Sequence, residues 1–131
     1  MTAHALRLVP GEDLKRRLVA FATTHDFQAA CLLTCVGSLT DVHLRFANQN
    51  QGTRLQGHFE IVSLVGTLGP NGAHLHLSVA DETGHTLGGH LLDGNLIYTT
   101  AEIVVGELPT TRFLRQLDER TGYPELVVGP R

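Results

Sequence analysis

Apolar residues recur at helical spacing near the start of the chain. Glu12 and Asp13 fall in the predicted first turn, where carboxylates are favoured because they face the positive end of the helix. The basic residues at 15–17 fall outside the apolar face. The pattern predicts an amphipathic helix over residues 11–25, whose apolar face consists of Leu14, Leu18, Phe21 and Ala22.

Most of the remaining chain shows strand patterns separated by turn residues. Residues 29–39 (AACLLTCVGSL) form a nearly continuous apolar run, typical of a strand buried on both faces, and DVHLRFA alternates as a second strand. After the turn residues NQNQG, segments 53–69 and 73–81 predict a hairpin around a Pro-Asn-Gly turn. A turn at 82–85 leads to a strand in TLGGHLLDG, and NLIYTTAEIVVGEL predicts a long final strand.

The last segment begins with a proline, which is favoured in the first turn of a helix. Pro109 and the two threonines after it predict a second helix in residues 110–131, with Phe113, Leu114 and Leu117 facing inward. The order of elements indicates an α+β fold with a mainly antiparallel sheet. The hairpin turns are too short to contain crossover helices, which excludes a doubly wound fold there.

Composition favours one globular domain. The chain has 131 residues, of which 42% are hydrophobic and 18% charged, so a real core is expected within a single domain, 1–131. A net charge of −3 provides no basic field, which argues against direct binding to nucleic acid. No apolar run approaches the roughly 20 residues that span a bilayer, and no signal peptide is recognisable, so a cytoplasmic location is expected.

Three of the eight histidines have a spacing that suggests a common site. His74 and His76 are two residues apart in a predicted strand, so their side chains project from the same face. The turn at 82–85 folds the next strand back and brings His90 beside them. Pairing around that turn places residues whose numbers sum to about 167 opposite each other, and a bulge at Gly88-Gly89 would complete the alignment.

Three neutral imidazoles with an open fourth position form a zinc site of a familiar kind. The sequence therefore predicts a divalent metal, with zinc favoured, held by His74, His76 and His90. Iron, nickel, cobalt or manganese could use the same ligands. The alternative is that these histidines are ordinary surface residues of a solvent-facing strand.

Five segments in a fixed order resemble the PPC family (plant and prokaryote conserved, also called DUF296). They are RLVPGEDL, VGSLTDVHLRF, GHFEIVSLVGTLG, HLHLSVADETGHTLGGHLLDG and TAEIVVGEL, and they cover about residues 5–109. The resemblance implies an antiparallel sheet curled around a helix and assembly as a homotrimer. It also implies that the histidines matching His74, His76 and His90 are metal ligands, as in stand-alone prokaryotic members.

In plants the domain accompanies AT-hook motifs that bind DNA. This chain has no Arg-Gly-Arg-Pro core, and its GHFEIV segment, residues 57–62, replaces the Gly-Arg-Phe-Glu-Ile-Leu that is typical of the plant proteins. Both departures argue against direct DNA binding and leave assembly and partner contact as the implied role.

Two carboxylates lie within apolar strands, where a charge is costly unless it is paired. These residues are Glu60 and Glu102, and Arg45 is the candidate cation for an ion pair with them. They either form buried or inter-subunit salt links or belong to a ligand site, which Ser63 on the neighbouring strand could also line.

Three functions are compatible with these residues. The first is a homotrimeric, zinc-binding module with a regulatory or small-ligand-binding role, in which a small anion takes the open coordination position. The second is a metal-dependent enzyme, either a hydrolase or a cupin-like enzyme in which Asp81 or a glutamate would also bind the metal. Asp81 lies at the edge of a turn, where the pattern favours a solvated, turn-forming aspartate instead. The third is a DNA-associated protein that acts through partners.

Overall fold

The computed structural model describes residues 1–131 and contains one helix and eight strands. Helix α1 spans Leu14–Thr24. The strands are β1 Thr2–Leu8, β2 Ala30–Arg45, β3 Thr53–Gly69, β4 Gly72–Ala80, β5 Thr86–Leu91, β6 Ile97–Glu107, β7 Thr111–Asp118 and β8 Tyr123–Pro130. The predicted α+β class and mainly antiparallel sheet are confirmed.

Six strands form one sheet in the order β1-β6-β2-β3-β4-β5, and β7 and β8 form a separate hairpin. The end of β2 also pairs with β5, with Leu44 opposite Leu91 and Arg45 opposite His90. The sheet is therefore curled, because β2 contacts both β3 and β5. Helix α1 lies against the inner face of the sheet, as the resemblance implied. With 11 residues, this helix is too short to cross a membrane.

The core lies between α1 and the inner face of the sheet. Strand residues alternate between this face and an outer face that points away from α1, as in β4, where Leu75 and Leu77 are buried while His74 and His76 are exposed. Burial of this apolar set is the main force that holds the curled sheet on the helix. The largest fully buried side chains include Leu14, Leu18, Leu39, Leu44, Leu68, Leu75, Leu77, Leu91, Ile97 and Ile103.

Helix α1 begins three residues later than the predicted start at residue 11. Asp13 has extended backbone angles and caps the helix, because its side chain accepts a hydrogen bond from the Arg16 amide at 3.2 Å. Its other carboxylate oxygen accepts from the Gly94 amide at 2.7 Å. The two acidic residues were thus correctly associated with the helix start, but they precede its first turn.

The two strands predicted in 29–39 and 41–47 are one strand, β2. Register shifts around Leu39 bend it, so it continues through the polar Thr40-Asp41 pair that resembled a break. The prediction that 29–39 is buried on both faces is also wrong, since Val36 is 58% exposed. Strand β1 was not predicted at all; it is short and pairs only with β6 at the edge of the sheet.

The predicted C-terminal helix in 110–131 is wrong, because β7 and β8 form an antiparallel hairpin. Phe113 lies opposite Val128 and Leu114 opposite Val127. Only Phe113 is partly buried, whereas Leu114 and Leu117 are exposed rather than inward. The short apolar run of β7 fits both helical and strand spacing. The two adjacent valines of β8 are β-branched residues, which favour a strand, and β8 pairs with β7.

Candidate metal centre

Strand β4 presents two histidines on the outer face of the sheet. His74 and His76 are exposed, while the alternating Leu75 and Leu77 are only 1% and 2% exposed in the core. The buried leucines fix which way the strand faces, because a shift of one residue would bury both imidazoles and expose both leucines. The predicted common direction of the two histidines is confirmed.

Strand β5 brings the third histidine to the same place. His76 lies directly opposite His90, and the register continues without a shift to Ala80 opposite Thr86. Paired residue numbers therefore sum to 166, one less than predicted. The bulge predicted at Gly88-Gly89 is absent, because this register already aligns His90 with His76.

The three imidazoles form a compact cluster. Ring centroids are 5.1 Å apart for His74 and His76, 5.3 Å for His74 and His90, and 5.8 Å for His76 and His90. One ring nitrogen of each lies within 4.8 Å of the others. Ring nitrogens of four other histidines form hydrogen bonds within the protein, as His4 does with Glu107 and His43 with the Asp93 carbonyl, whereas these three have no such partner.

The environment favours neutral imidazoles, which is the form that binds metals. Partial burial lowers the pKa of His90 to about 4, with Arg45 as the next cause. Partial burial also lowers the pKa of His74, followed by the charges of His76 and Arg115, while Glu125 acts in the opposite direction. Both shifts favour the neutral imidazole, so less work is needed to displace a proton from His74 and His90 when a metal binds.

The donor set fits zinc or a similar divalent ion. Nitrogens on a tetrahedral zinc at about 2.0–2.1 Å lie about 3.4 Å apart, which small side-chain rotations from the present cluster would reach. Three histidines also leave a fourth position open to a ligand or substrate. His74, His76 and His90 would hold the ion, and its chemistry would be that of a Lewis acid at that position.

Two glycines allow the strands to approach closely at this site. A Cβ on Gly66 of β3 would lie 2.0 Å from the His74 carbonyl oxygen, and its φ of +147° is unfavourable for other residues. A Cβ on Gly89 would lie 2.7 Å from the Arg45 carbonyl oxygen. The missing side chains let β4 and β5 pack against their neighbours where the histidines project.

A cavity of about 300 Å³ adjoins the cluster. Its wall includes His74, His76 and Thr67 from the sheet and Arg115 and Glu125 from the β7–β8 hairpin. Neither hairpin residue was predicted to belong to the site, because the sequence pattern of their segment favoured a helix and no motif surrounds them. Strand alternation in TRFLRQLD was the only available signal.

The other predicted site residues are scattered. Arg45 lies opposite His90, so it belongs to the surroundings of the histidines. Glu102 lies opposite Val36 in the β2–β6 pair, and Ser63 lies opposite Ser78 in the β3–β4 pair. Glu60 lines a second cavity of about 480 Å³ with Ser38, His58 and Tyr98 among its other residues.

The predicted pairing of Arg45 with the two carboxylates is not formed in the chain. Glu60 and Glu102 point to the exposed outer face, where a carboxylate needs no cation because water solvates it. Asp81 is not part of the histidine cluster either. Its carboxylate accepts hydrogen bonds from the Thr83 amide at 2.9 Å and the His85 amide at 3.0 Å, so it stabilises the β4–β5 turn.

Known proteins share this fold and much of its sequence. The family model for the Plants and Prokaryotes Conserved (PCC) domain matches residues 1–109. The chain is 50% identical over 127 residues to the bifunctional protein GlmU of Synechococcus sp., with 97% of this chain and 20% of that protein covered. It is 33% identical over 143 residues to AT-hook motif nuclear-localized protein 13 of Arabidopsis thaliana, covering 98% and 32%. The chain thus spans about a fifth to a third of these relatives.

Two solved structures are similar over nearly the whole chain. A protein from Salmonella enterica has 47% sequence identity and a TM-score of 0.98, with 99% of this chain and 94% of that one covered. A metal-containing protein from Archaeoglobus fulgidus has 24% identity and a TM-score of 0.79, with coverage of 97% and 94%. The similarity to the Salmonella structure includes the C-terminal hairpin, which lies beyond the residues matched by the family model.

Proposed function

The chain belongs to the Plants and Prokaryotes Conserved domain family, and we propose that it is a homotrimeric metal-binding module with a regulatory or small-ligand-binding role. Zinc is the expected metal, and His74, His76 and His90 are its ligands. A small anionic ligand takes the remaining coordination position. The proposal rests on one observation: three unbonded imidazole nitrogens lie within 4.8 Å of one another.

The metal assignment has support from the chemistry of the site and from a structural neighbour. Partial burial disfavours the protonated forms of His74 and His90, so these two side chains favour the neutral form that binds a metal. The Archaeoglobus fulgidus neighbour is a metal-containing protein. The low identity to that protein makes it a guide to the fold, and the histidine geometry supplies the argument for this chain.

The trimer assignment has support from an apolar patch on the outer face of β2 and β3. The exposed fractions are 58% for Val36, 56% for Val62 and 53% for Val65. Leu33 is 47% exposed in the same region. Contiguous exposed apolar side chains favour burial against another protein surface, and a second copy of the chain is the partner we propose for this patch.

Elemental analysis of the purified full chain tests the metal assignment. We expect about one zinc per chain in the wild type and none in a His74→Ala/His76→Ala double variant. His85→Ala is the matched control, because His85 is exposed in the β4–β5 turn and outside the cluster. Mass in solution, recorded for all three proteins, tests the trimer separately. A wild type without metal would refute the proposed site.

A metal-dependent hydrolase is the second candidate, favoured by the position of Glu125. Its carboxylate lines the cavity beside His74 and His76, where it could accept a proton from an attacking water. The cupin-like alternative loses support, because Asp81 holds the turn rather than joining the histidines. Turnover of a simple ester or lactone that falls in Glu125→Gln, but not in the exposed Glu119→Gln, would favour the enzyme.

A role at DNA would depend on partners. Two of the three basic residues on α1 are paired with carboxylates, since Arg17 lies 2.7 Å from Glu12 and Arg16 lies 3.5 Å from Asp93. These pairs reduce the positive charge available to phosphates. Tight duplex binding by the isolated chain that weakens steeply with salt would contradict this view.

A further inference from the structure

We propose that the C-terminal hairpin supplies the ligand-recognition group of the histidine site. In this inference Arg115 binds the carboxylate of a small monocarboxylic acid that also occupies the open metal position. It rests on the proposed metal site and adds the chemical class of its ligand. The sequence pattern predicts no role for Arg115. Arg115 lies at the histidine site because β7 packs beside β3 in the folded chain.

The structure fixes Arg115 against the wall of the cavity. Its backbone amide donates to the Asn71 side-chain oxygen at 3.2 Å, and its guanidinium donates to the Thr67 hydroxyl at 3.2 Å. Thr67 is the cross-strand partner of His74. The guanidinium is therefore tied to the segment that carries the first histidine, and it borders the same cavity as His74 and His76.

Arg115 differs from the other arginines in its burial. Arg115 is the one arginine of the chain whose residue as a whole is half-buried rather than exposed, and it has no carboxylate within ion-pair distance. The ion-paired arginines, by contrast, are exposed residues such as Arg17 and Arg120. A partly buried guanidinium gains most from a carboxylate, because its planar fork matches the two oxygens.

The remaining lining of the cavity selects a small acid with an apolar part. Val65 and Leu126 contribute apolar walls, and the volume is about 300 Å³. Glu125 lies in the same wall. Its negative charge disfavours a dianion such as phosphate more than a monocarboxylate, while Arg115 and the metal together favour an anion.

Butyrate binding to the metal-loaded full chain tests the inference by calorimetry. We expect Arg115→Gln to weaken butyrate binding at least 10-fold and to leave the metal content unchanged. Arg112→Gln is the matched control, because Arg112 is exposed on the opposite face of the same strand and should change binding less than 2-fold. Butyramide, which has the same shape without the charge, should bind more weakly than butyrate to the wild type.

Arg115→Lys separates recognition from a structural role, since it keeps the charge but loses the planar fork. Weakened binding in Arg115→Lys with unchanged thermal stability would support recognition by the guanidinium. Any of three results would overturn the inference. The wild type and Arg115→Gln could bind butyrate equally, the metal-loaded wild type could fail to bind butyrate, or the wild type could bind phosphate more tightly than butyrate. A wild type that holds no metal would instead refute the underlying site, and the elemental analysis detects that case.

Discussion

His76 and His90 lie directly opposite each other on β4 and β5, with ring centroids 5.8 Å apart. They belong to one hairpin. His74 lies two residues before His76 on β4, and its side chain projects from the same face of the strand. All three candidate ligands therefore come from a segment of 17 residues, positions 74–90. A metal bound by these histidines would link β4 and β5 at the end of the strand pair that is farther from their connecting turn.

Metal removal should reduce the stability of the folded chain. A ligand that binds only the folded state at 100 times its dissociation constant stabilises by about 2.7 kcal/mol. We expect zinc to raise the melting temperature of the metal-free wild type, and a chelator to reverse the increase. His90→Ala should remove this response, because only two imidazoles remain.

His85→Ala serves as the control for this experiment, since it changes the same hairpin without touching the cluster. Scanning calorimetry at a fixed protein concentration measures both variants. A zinc response of equal size in His90→Ala and the wild type would contradict the assignment of His90 as a ligand.

The histidine site could be predicted from the sequence because it depends on local rules. Alternation placed His74 and His76 on one face, and a short turn brought His90 back to them. The register error of one residue had little effect on this conclusion, since the strands themselves were correct. Information from distant residues was not required.

The role of the C-terminal hairpin could not be predicted by the same means. Phe113, Leu114 and Leu117 fit helical spacing as well as an irregular strand, so the pattern alone could not exclude a helix. This segment forms a strand because it pairs with β8, which contains two adjacent valines. Arg115 reaches the site only through contacts with Asn71 and Thr67, more than 40 positions earlier in the chain, and periodicity carries no such information.

Gly66→Ala should destabilise the β3–β4 pair at the histidine site. The added methyl group would meet the backbone of β4, at 2.0 Å from the His74 carbonyl oxygen and 2.8 Å from the Leu75 Cα. Backbone cannot move aside as a flexible side chain can, so we expect a loss of about 1–3 kcal/mol. Gly129→Ala is the control, because a Cβ there meets nothing within 4 Å. Urea denaturation compares the two, and equal midpoints would refute the prediction.

Asn95→Ala should also be costly, because Asn95 is a fully buried polar residue. Its side chain accepts a hydrogen bond from the His43 amide at 2.8 Å and donates to the His43 and Leu92 carbonyls. The substitution would leave these groups without partners, at a cost of about 2–4 kcal/mol. Asn50→Ala, at an exposed position in the β2–β3 turn, should change the free energy of unfolding very little.

Cys35 should react slowly with alkylating reagents in the folded protein. Burial, followed by the charge of Glu102, raises the pKa of its thiol from 9.0 to about 11. At pH 8 the reactive thiolate is then about 100-fold scarcer than for a thiol with the lower pKa, and its fraction reaches one half only at a pH of about 11. Iodoacetamide labelling of a Cys31→Ser variant, followed by mass spectrometry, measures this rate.

Glu102→Gln on the same background should speed the labelling of Cys35, because it removes a negative charge that opposes the thiolate. Unfolding in guanidinium provides the fast reference. Equal rates in the folded and unfolded protein at pH 8 would show that the thiol is not protected.

A charge placed in the apolar patch of the outer face should break the proposed assembly. Val36 and Val62 are 58% and 56% exposed in the single chain, so glutamate at either position can be solvated and the monomer should still fold. In a trimer that buries this patch, the same carboxylate would lose its water without gaining a cation, which is costly. We therefore expect Val36→Glu/Val62→Glu to shift the mass in solution from trimer to monomer while the circular dichroism spectrum stays unchanged. Ala20→Glu, on the exposed surface of α1, is the matched control and should remain trimeric. A trimer that survives the double substitution would move the proposed interface away from β2 and β3.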